Sequence, residues 1–303
     1  MRRDWRPAWP CPVGQVWSAW RRGAGDPTYR LDDAGRHWRG LRTPAGPATL
    51  AVLPRPALAT IEAHAWGPGA AWALDQLPAM LGADDEPAGL PLLHAAVRRA
   101  ARAAPHWRVG RGGVVLDALT PAIIQQKVTG AEAFAGFRRL VLRFGERAPG
   151  PGPAASLWVQ PDAAALRRVP SWEWLALGVD QARSRTLVLA ARVADALQRT
   201  VDLPGPDADR RLRSVPGIGR WTSAEVRARA YGDPDAVSFG DYHVARSIGW
   251  ALIGEELDDD GLAELLEPYA GHRYRVQRLV ELTTAGHPRR GPRLAPRTHL
   301  PVR

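Results

Sequence analysis

Residues 212–226 read LRSVPGIGRWTSAEV, and this stretch decides the fold of the chain. Pro216 ends a first helix, because proline lacks an amide proton and its ring clashes with the preceding turn. Gly217 and Gly219 allow a left-handed backbone and remove Cβ atoms from a tight turn. Ile218 can be buried between this helix and the next one. The stretch therefore predicts a helix–hairpin–helix.

The start of the second helix is predicted to hold a phosphate of nucleic acid. The first amide groups of a helix lack partners inside the helix, and the helix dipole makes this end positive. We therefore predict DNA contacts at four positions of the hairpin: Gly217, Gly219, Arg220 and Thr222. A Gly-x-Gly turn alone is common in proteins, so the prediction depends on the longer pattern.

A second informative stretch follows about 20 residues later, where residues 235–246 read DAVSFGDYHVAR. Ala236–Phe239 is predicted to be extended, Gly240 to interrupt the chain, and Tyr242–Ile253 to be a helix. Asp241 would then lie at a helix N-terminus, where its carboxylate stays ionised and caps the helix. Capping alone is the alternative role, but the spacing from the hairpin favours catalysis.

Composition also favours a polyanionic partner. The 303 residues carry a formal charge of +10, and Lys127 is the only lysine, so arginine supplies nearly all of the positive charge. Guanidinium groups match phosphate geometry and stack on bases, which favours nucleic acid. The alternative is that the arginine content only reflects a GC-rich genome. Most of the 13 tryptophans are expected to pack in the core.

Several classes of protein are excluded by the same composition. The chain has no apolar run long enough for a membrane span and no signal-peptide pattern at its start, so we expect no membrane partner and a cytoplasmic, nucleoid-associated bacterial protein. Its single cysteine, Cys11, cannot form an internal disulfide framework. A cysteine-ligated zinc site or iron–sulfur cluster built by this chain alone is excluded for the same reason.

Hydrophobic patterning divides the chain into a sheet region and a helical region. Residues 1–25 show no clear period, and one helix is predicted over Pro68–Leu81. Turn residues separate four predicted strands: Thr28–Leu31, His37–Arg42, Ala48–Leu53 and Ala57–Ala65. We therefore predict a small α+β domain over residues 1–88, a helical domain over 89–285 and a basic tail over 286–303.

Helical periodicity recurs through the second region, and Ala148–Pro153 is predicted to be a loop. The predicted helices are Leu90–Ala104, Asp117–Gly145, Asp162–Arg168, Gln181–Gln198, Asp207–Arg213, Arg220–Tyr231, Tyr242–Ile253, Asp260–Tyr269 and Arg273–Thr284.

The hairpin followed by Gly240-Asp241 resembles the helix–hairpin–helix DNA glycosylase superfamily. Over residues 28–284 the chain is most similar to the AlkA-type 3-methyladenine DNA glycosylase II branch. The resemblance implies an α+β fold: a small N-terminal antiparallel sheet domain, similar to TBP, plus a mostly α-helical bundle containing the hairpin. It also implies a monomer that acts on double-stranded DNA in base excision repair.

The implied reaction flips a damaged purine, alkylated in this branch, into a pocket and hydrolyses its N-glycosidic bond. Cleavage leaves positive charge on the sugar, and a fixed carboxylate stabilises that charge; the resemblance assigns this catalytic role to Asp241. Bifunctional relatives carry a lysine nucleophile where this chain has Trp221. A monofunctional reaction with water as the nucleophile follows.

Two further segments carry the resemblance. Residues 123–129, IIQQKVT, are similar to a segment beside the flipped base, which implies DNA contacts at Gln125, Gln126 and Lys127, with Lys127 at the wedge position. Residues 271–275, GHRYR, are similar to a basic segment near the site, which implies a DNA contact at Arg273. Gln125 and Gln126 can also serve only in capping or packing.

The substrate pocket departs from the pattern of the relatives. Trp221 matches an aromatic pocket position, but Glu225 stands where an aromatic residue is common, and His272 falls on another aromatic position. Glu225 can pair with a positively charged base or lie on the surface. His272 can contact a phosphate or a base, or be exposed without a special role. These departures leave open an oxidised, deaminated or bulky lesion.

Two readings outside catalysis also remain: a non-catalytic helix–hairpin–helix protein that only binds DNA, and a basic protein whose charge is compositional. In relatives the backbone carbonyls at the positions of Arg213, Val215 and Ile218 hold a monovalent cation, so Na⁺ or K⁺ is expected there. No other cofactor is required, and an iron–sulfur cluster is not expected.

Overall fold

A computed structural model describes residues 1–151 and 156–284, and it confirms the predicted α+β fold. The predicted basic tail and part of the predicted loop Ala148–Pro153 lie outside the described residues. Five strands form one antiparallel sheet in the order β1-β5-β4-β3-β2, and two short strands, β6 and β7, pair separately. The strands are β1 (Arg2–Trp5), β2 (Tyr29–Leu31), β3 (His37–Thr43), β4 (Gly46–Arg55), β5 (Thr60–Trp66), β6 (Glu146–Arg147) and β7 (Trp158–Val159).

Helices fill most of the rest of the described chain, and none of those within residues 1–151 and 156–284 is long and apolar enough to cross a membrane. They are α1 (Val13–Trp17), α2 (Ala70–Asp75), α3 (Leu77–Met80), α4 (Ala95–Ala103), α5 (Val115–Ile124), α6 (Gly130–Phe144), α7 (Ala163–Arg168), α8 (Ser171–Ala176), α9 (Gln181–Arg192), α10 (Ala194–Gln198), α11 (Gly205–Arg213), α12 (Arg220–Val226), α13 (Val244–Ile253), α14 (Asp259–Leu266) and α15 (Arg273–Thr283).

The four predicted strands are present, and the sheet gains β1 from a segment in which the sequence showed no period. β1 pairs with β5 from Arg2 opposite His64 to Trp5 opposite Ile61. Its four residues are too few for a period-two pattern to stand out. In β5 buried and half-buried residues alternate, as expected for a sheet with one covered face.

Packing crosses the predicted domain boundary at residue 88. The hydrophobic core around Trp17 and Leu50 continues through Trp107 to Ala224 in α12 and Tyr274 in α15. The guanidinium of Arg275 also makes a bidentate ion pair with the Asp85 carboxylate, at 2.6 and 2.8 Å, and both side chains are buried. The sheet region is therefore packed directly against the helices that carry the hairpin.

The predicted helix Asp117–Gly145 is wrong as a single element, because it is broken between α5 and α6. Lys127 adopts a φ of 53° there, which a continuing helix does not allow. Thr129 then caps α6: its hydroxyl accepts from the Glu132 amide, and the Glu132 carboxylate accepts from the Thr129 amide. This capping box is visible in the sequence as Thr-x-x-Glu and was overlooked.

Other differences concern element ends. Ala236–Phe239 forms no strand, α8 was not predicted, and Gln181–Gln198 is divided into α9 and α10 at Val193. The helix predicted from Leu90 begins at Ala95, and α12 continues as a π-helical turn over Arg227–Tyr231. These corrections leave the hairpin and the Asp241 segment in the predicted order.

Candidate active site

Helices α11 and α12 form the predicted hairpin, and its two glycines have different roles. Gly217 has a φ of +90°, and a Cβ there would lie 1.9 Å from Oγ1 of Thr186, so only glycine fits. Gly219 has a φ of −94° and open space around its Cβ position. The expectation that Gly219 needs a left-handed backbone is therefore wrong. Its lack of a side chain instead leaves the start of α12 uncovered.

Two buried side chains and one hydrogen bond anchor the hairpin and fix the first amides of α12. Val215 and Ile218 are buried in the core of the helical region. The Ser223 hydroxyl donates to Oδ1 of Asp209 on α11 at 2.7 Å. No side chain caps the N-terminus of α12 at Gly219. Unpaired amides and the positive end of the helix dipole are the features that bind an anion.

The turn between α5 and α6 lies against the hairpin through Gln126. Its Nε2 donates to the Gly217 carbonyl at 2.9 Å and to Oγ1 of Thr222 at 2.8 Å. Thr222 is buried, so its hydroxyl serves this contact. Gln125 is half-buried and Lys127 is exposed. The structure thus brings the predicted DNA-contacting turn and the hairpin together.

Two arginines of the hairpin are exposed. Arg220 stacks its guanidinium over the Phe239 ring, 4.8 Å from the ring centroid. Arg213 pairs with Asp209 on its own helix at 3.1 Å. The Val215 carbonyl accepts from the Ile218 amide at 3.0 Å and keeps a second lone pair. Carbonyl oxygens at Arg213, Val215 and Ile218 have the donor chemistry of a monovalent-cation site, and they belong to one turn.

Asp241 lies just before α13 with both carboxylate oxygens bonded. Oδ1 accepts from the amides of His243 at 2.8 Å and Val244 at 3.2 Å. Oδ2 accepts from the indole N–H of Trp221 at 3.3 Å. The helix begins at Val244, two residues later than predicted, and Asp241 accepts from the amides of its N-cap residue, His243, and of its first residue. Asp241 and Trp221, which sequence analysis placed at the site, are therefore in direct contact.

Asp241 opens on a cavity of about 270 Å³ that is lined mainly by polar side chains. Four of the lining residues lie on one face of α15 at the spacing i, i+3, i+4, i+7. Sequence analysis missed these four, although that spacing was the available signal. The cavity is lined by Glu225, Arg229, Ser238, Asp241, His243, Val244, Ser247, Tyr274, Gln277, Arg278 and Glu281.

Glu225 lies in this cavity, so the alternative that places it on the surface is wrong. Its carboxylate accepts from the Ser238 hydroxyl at 2.7 Å and pairs with Arg229 at 2.8 Å. Burial alone would raise the pKa of Glu225, but Arg229, the Ser238 hydroxyl and nearby Arg22 outweigh burial and hold it below its ordinary value. Glu225 is therefore ionised at neutral pH.

A turn of the N-terminal region supports the two arginines of the cavity. The residues Ser18–Trp20 form a 3₁₀ turn directly after α1. Arg229 donates from Nε to the Ala19 carbonyl at 2.9 Å. Arg278 donates from Nη2 to the Ser18 hydroxyl at 3.1 Å and pairs through Nη1 with Glu281 at 2.7 Å. The sheet region thus helps to position the floor of the cavity.

His272 is not among the residues that line the cavity. It lies two positions before Tyr274, which is about 200° around a helix. Its Nδ1 accepts from Nε of Arg275 at 3.0 Å. Burial, followed by the charge of Arg275, lowers the pKa of His272 below its ordinary value. Tyr274, two positions later, lines the cavity, and His272 does not.

The Arg273 side chain is paired with another residue of the protein. Its guanidinium makes a two-pronged ion pair with Asp235, whose Oδ1 also accepts from the amides of Gly271 and Arg273. Asp235 thereby joins the start of α15 to the segment that leads to Asp241. The predicted basic segment is close to the site, with Arg273 holding its geometry and about 29 % of its side chain exposed.

No protein-family model matches the sequence, and no curated protein matches it significantly. Solved structures do match. A 3-methyladenine DNA glycosylase from Archaeoglobus fulgidus shares 18 % identity with a TM-score of 0.75, covering 92 % of this chain and 97 % of that one. An 8-oxoguanine glycosylase/lyase from Clostridium acetobutylicum shares 8 % identity with a TM-score of 0.71, covering 93 % and 96 %. The chain therefore has the fold of the helix–hairpin–helix DNA glycosylases.

Proposed function

We propose that this protein is a monofunctional DNA glycosylase that flips a damaged purine out of double-stranded DNA and hydrolyses its N-glycosidic bond. The observation that carries the proposal is the position of Asp241. Its carboxylate is fixed by two backbone amides and the Trp221 indole, and it opens on a cavity beside a phosphate-binding hairpin. The glycosylase fold of the neighbours supports the same reaction class.

In the proposed reaction the electrons of the bond between C1′ and the base nitrogen leave with the base. The positive charge that develops on the sugar is stabilised by the Asp241 carboxylate, which is already oriented and needs no rearrangement. Water adds to C1′, and Asp241 accepts one of its protons. The hydrogen bonds to Oδ1 and Oδ2 fix the carboxylate while leaving lone pairs for these tasks.

The absence of a lysine at the site supports the monofunctional route. The position of the lyase nucleophile is filled by Trp221, whose indole N–H donates to Asp241 and is not a nucleophile. The only lysine of the sequence, Lys127, is exposed in the turn between α5 and α6. Water is therefore the nucleophile available to attack the sugar.

Duplex DNA is proposed to lie across the hairpin and the adjoining turn. The uncapped start of α12 offers its amides to a phosphate, and a monovalent cation at the hairpin carbonyls would reinforce that contact. Arg220 and Lys127 are exposed beside it and add positive charge. A structural neighbour, the Clostridium acetobutylicum 8-oxoguanine glycosylase/lyase, has been solved with double-stranded DNA, at a TM-score of 0.71.

For the lesion we propose an alkylated purine. The cavity is lined by the carboxylates of Asp241, Glu225 and Glu281 and by the guanidiniums of Arg229 and Arg278. Three negative and two positive groups leave the lining net negative, which favours a base that alkylation has made cationic. Such a base also leaves without being protonated by the enzyme.

One observation favours a second candidate lesion, an oxidised or deaminated base. Tyr274 is the only aromatic side chain, apart from His243, in the described lining of the cavity, so stacking on a cationic base is limited. A polar lining instead suits recognition through hydrogen bonds.

The test is to incubate the protein with methylated genomic DNA and identify the released free bases by mass spectrometry. Release of methylated purines supports the proposal and names the lesion. Release only from DNA carrying oxidised or deaminated bases favours the second candidate. A protein that binds duplex DNA but releases no base from any of these substrates contradicts the proposed enzyme and favours a DNA-binding module.

A further inference from the structure

Tyr274 differs from the other buried or half-buried tyrosines of the described chain in having no partner for its hydroxyl. Tyr29 bonds to His37 at 2.5 Å, Tyr231 to Thr200 at 2.6 Å, and Tyr269 to His94 at 2.7 Å. Tyr242, the remaining tyrosine of the sequence, is exposed. Tyr274 is 3 % exposed, and no residue of the described chain bonds to its hydroxyl.

The unpartnered hydroxyl lies where a base would enter. Tyr274 lines the same cavity as Asp241. Buried tyrosine hydroxyl groups usually have a hydrogen-bond partner, because leaving one unmade is unfavourable. A hydroxyl group held in a cavity without a partner from the protein is therefore available to a ligand.

The charged groups around Tyr274 are already paired with each other. Glu225 is bonded to Arg229 and Ser238, and Glu281 is bonded to Arg278 and Gln277. Two groups of this cluster keep no partner in the described chain, namely the Tyr274 hydroxyl and the buried Nε of Arg278.

The hydroxyl can donate or accept, and its surroundings favour the donor role. Burial raises the pKa of Tyr274, so the phenol keeps its proton at neutral pH. Nε of Arg278 can only donate, and Arg278 lines the same cavity, so a base that carries an acceptor suits both groups. A donor requires an acceptor on the base. An exocyclic amino group could donate to the hydroxyl, but it would leave Nε of Arg278 without an acceptor.

We infer that the Tyr274 hydroxyl donates a hydrogen bond to an exocyclic oxygen of the flipped base, so that the cavity selects oxo-purines over amino-purines. This inference rests on the proposed glycosylase activity and adds to it a specificity-determining residue and a class of base. It applies to alkylated guanine as well as to oxidised or deaminated purines, because all of these carry a carbonyl oxygen.

Methylated genomic DNA tests the inference because it contains both classes in one substrate. Its 7-methylguanine carries a carbonyl at C6, and its 3-methyladenine carries an amino group there. The rates of release are measured together by mass spectrometry for the wild type and for Tyr274→Phe. We expect the variant to lose about 10- to 100-fold in 7-methylguanine release, from the cost of an unpaired acceptor. Release of 3-methyladenine should change little.

Tyr269→Phe is the matched control, because its hydroxyl bonds to His94 and it does not line the cavity. This variant should keep the wild-type ratio of the two bases and melt about 2 °C lower through the lost hydrogen bond. Tyr274→Phe should melt at or above the wild-type temperature, since it removes a hydroxyl that has no partner in the free protein.

The possible results separate the two levels of the proposal. If the wild type releases both bases and Tyr274→Phe slows both equally, or neither, the inference is overturned and the glycosylase stands. If the wild type prefers 3-methyladenine, the selection for oxo-purines is overturned. If the wild type releases neither base, nor hypoxanthine from an oligonucleotide, the proposed function fails together with the inference.

Discussion

The hairpin and the cavity are built in different ways, although they meet at Trp221 and Asp241. The hairpin consists of consecutive residues, and its proposed function uses backbone amides that its sequence positions directly. The cavity is formed by side chains from α12, the segment before α13, α13 itself and one face of α15. Its two arginines are also held by the distant turn Ser18–Trp20. The proposed contacts to DNA backbone are thus encoded locally, whereas the proposed recognition of the base depends on tertiary packing.

The largest expected effect comes from breaking the charge pair in the cavity. Glu225→Ala leaves the largely buried Arg229 without its carboxylate partner and removes the acceptor of the Ser238 hydroxyl. We expect a loss of about 3 kcal/mol in the free energy of unfolding, measured by denaturant titration. Glu264→Ala, at an exposed position of α14, should stay within about 0.5 kcal/mol of the wild type. Equal effects of the two changes would show that the pair does not support the cavity.

The same ion pair predicts that the free energy of unfolding depends on pH. The folded pKa of Glu225 lies below its ordinary value, so its contribution to stability is present above the unfolded pKa, about 4.3. That contribution is lost as the pH falls through the folded pKa. The difference in unfolding free energy between the wild type and Glu225→Gln should therefore shrink from pH 7 toward acid. A difference that is constant with pH would argue against an ionised Glu225.

The two glycines of the hairpin provide an intermediate effect and its control. Gly217→Ala should cost about 1–2 kcal/mol for the left-handed backbone, and more for the clash with Thr186. Gly219→Ala has room and a negative φ, so its stability should be within about 0.5 kcal/mol of the wild type. Its methyl group should still weaken binding to duplex DNA, measured by fluorescence anisotropy. Similar thermal stability of both variants would contradict the different roles assigned to Gly217 and Gly219.

The smallest effect is expected at Lys127, beside the hairpin. Its φ of 53° costs most residues about 1–2 kcal/mol, so Lys127→Gly should stabilise the protein slightly and Lys127→Ala should not. If the side chain contacts a phosphate, both variants should reduce the slope of log affinity against log salt by about 1. An unchanged slope in both variants would show that the Lys127 side chain does not contact a phosphate.

Sequence reasoning succeeded where a feature depends on neighbouring residues. The hairpin, four strands of the sheet and the position of Asp241 beside a helix start all follow from turn chemistry and short-range periodicity. The break before α6 was equally local, since Thr129 and Glu132 carry its capping box. The contact between Trp221 and Asp241 could be expected because both segments belong to one resemblance.

The lining of the cavity and the partners of its arginines could be found only from the folded structure. Which side of α15 faces the cavity depends on its packing against the core, so the sequence did not show that Tyr274 lines the cavity and that His272 does not. The partners of Arg278 and Arg229 are Ser18 and Ala19, more than 200 residues away in sequence. No local pattern indicates such contacts.

Asp241→Asn tests the central claim most directly, because it keeps the shape of the side chain while removing its negative charge. Release of the damaged base is measured in single turnover, and binding to duplex DNA with an abasic-site analogue is measured in parallel. The account predicts that base release falls by more than about 100-fold while binding to the abasic analogue is nearly unchanged. Wild-type rates of base release in Asp241→Asn would contradict it.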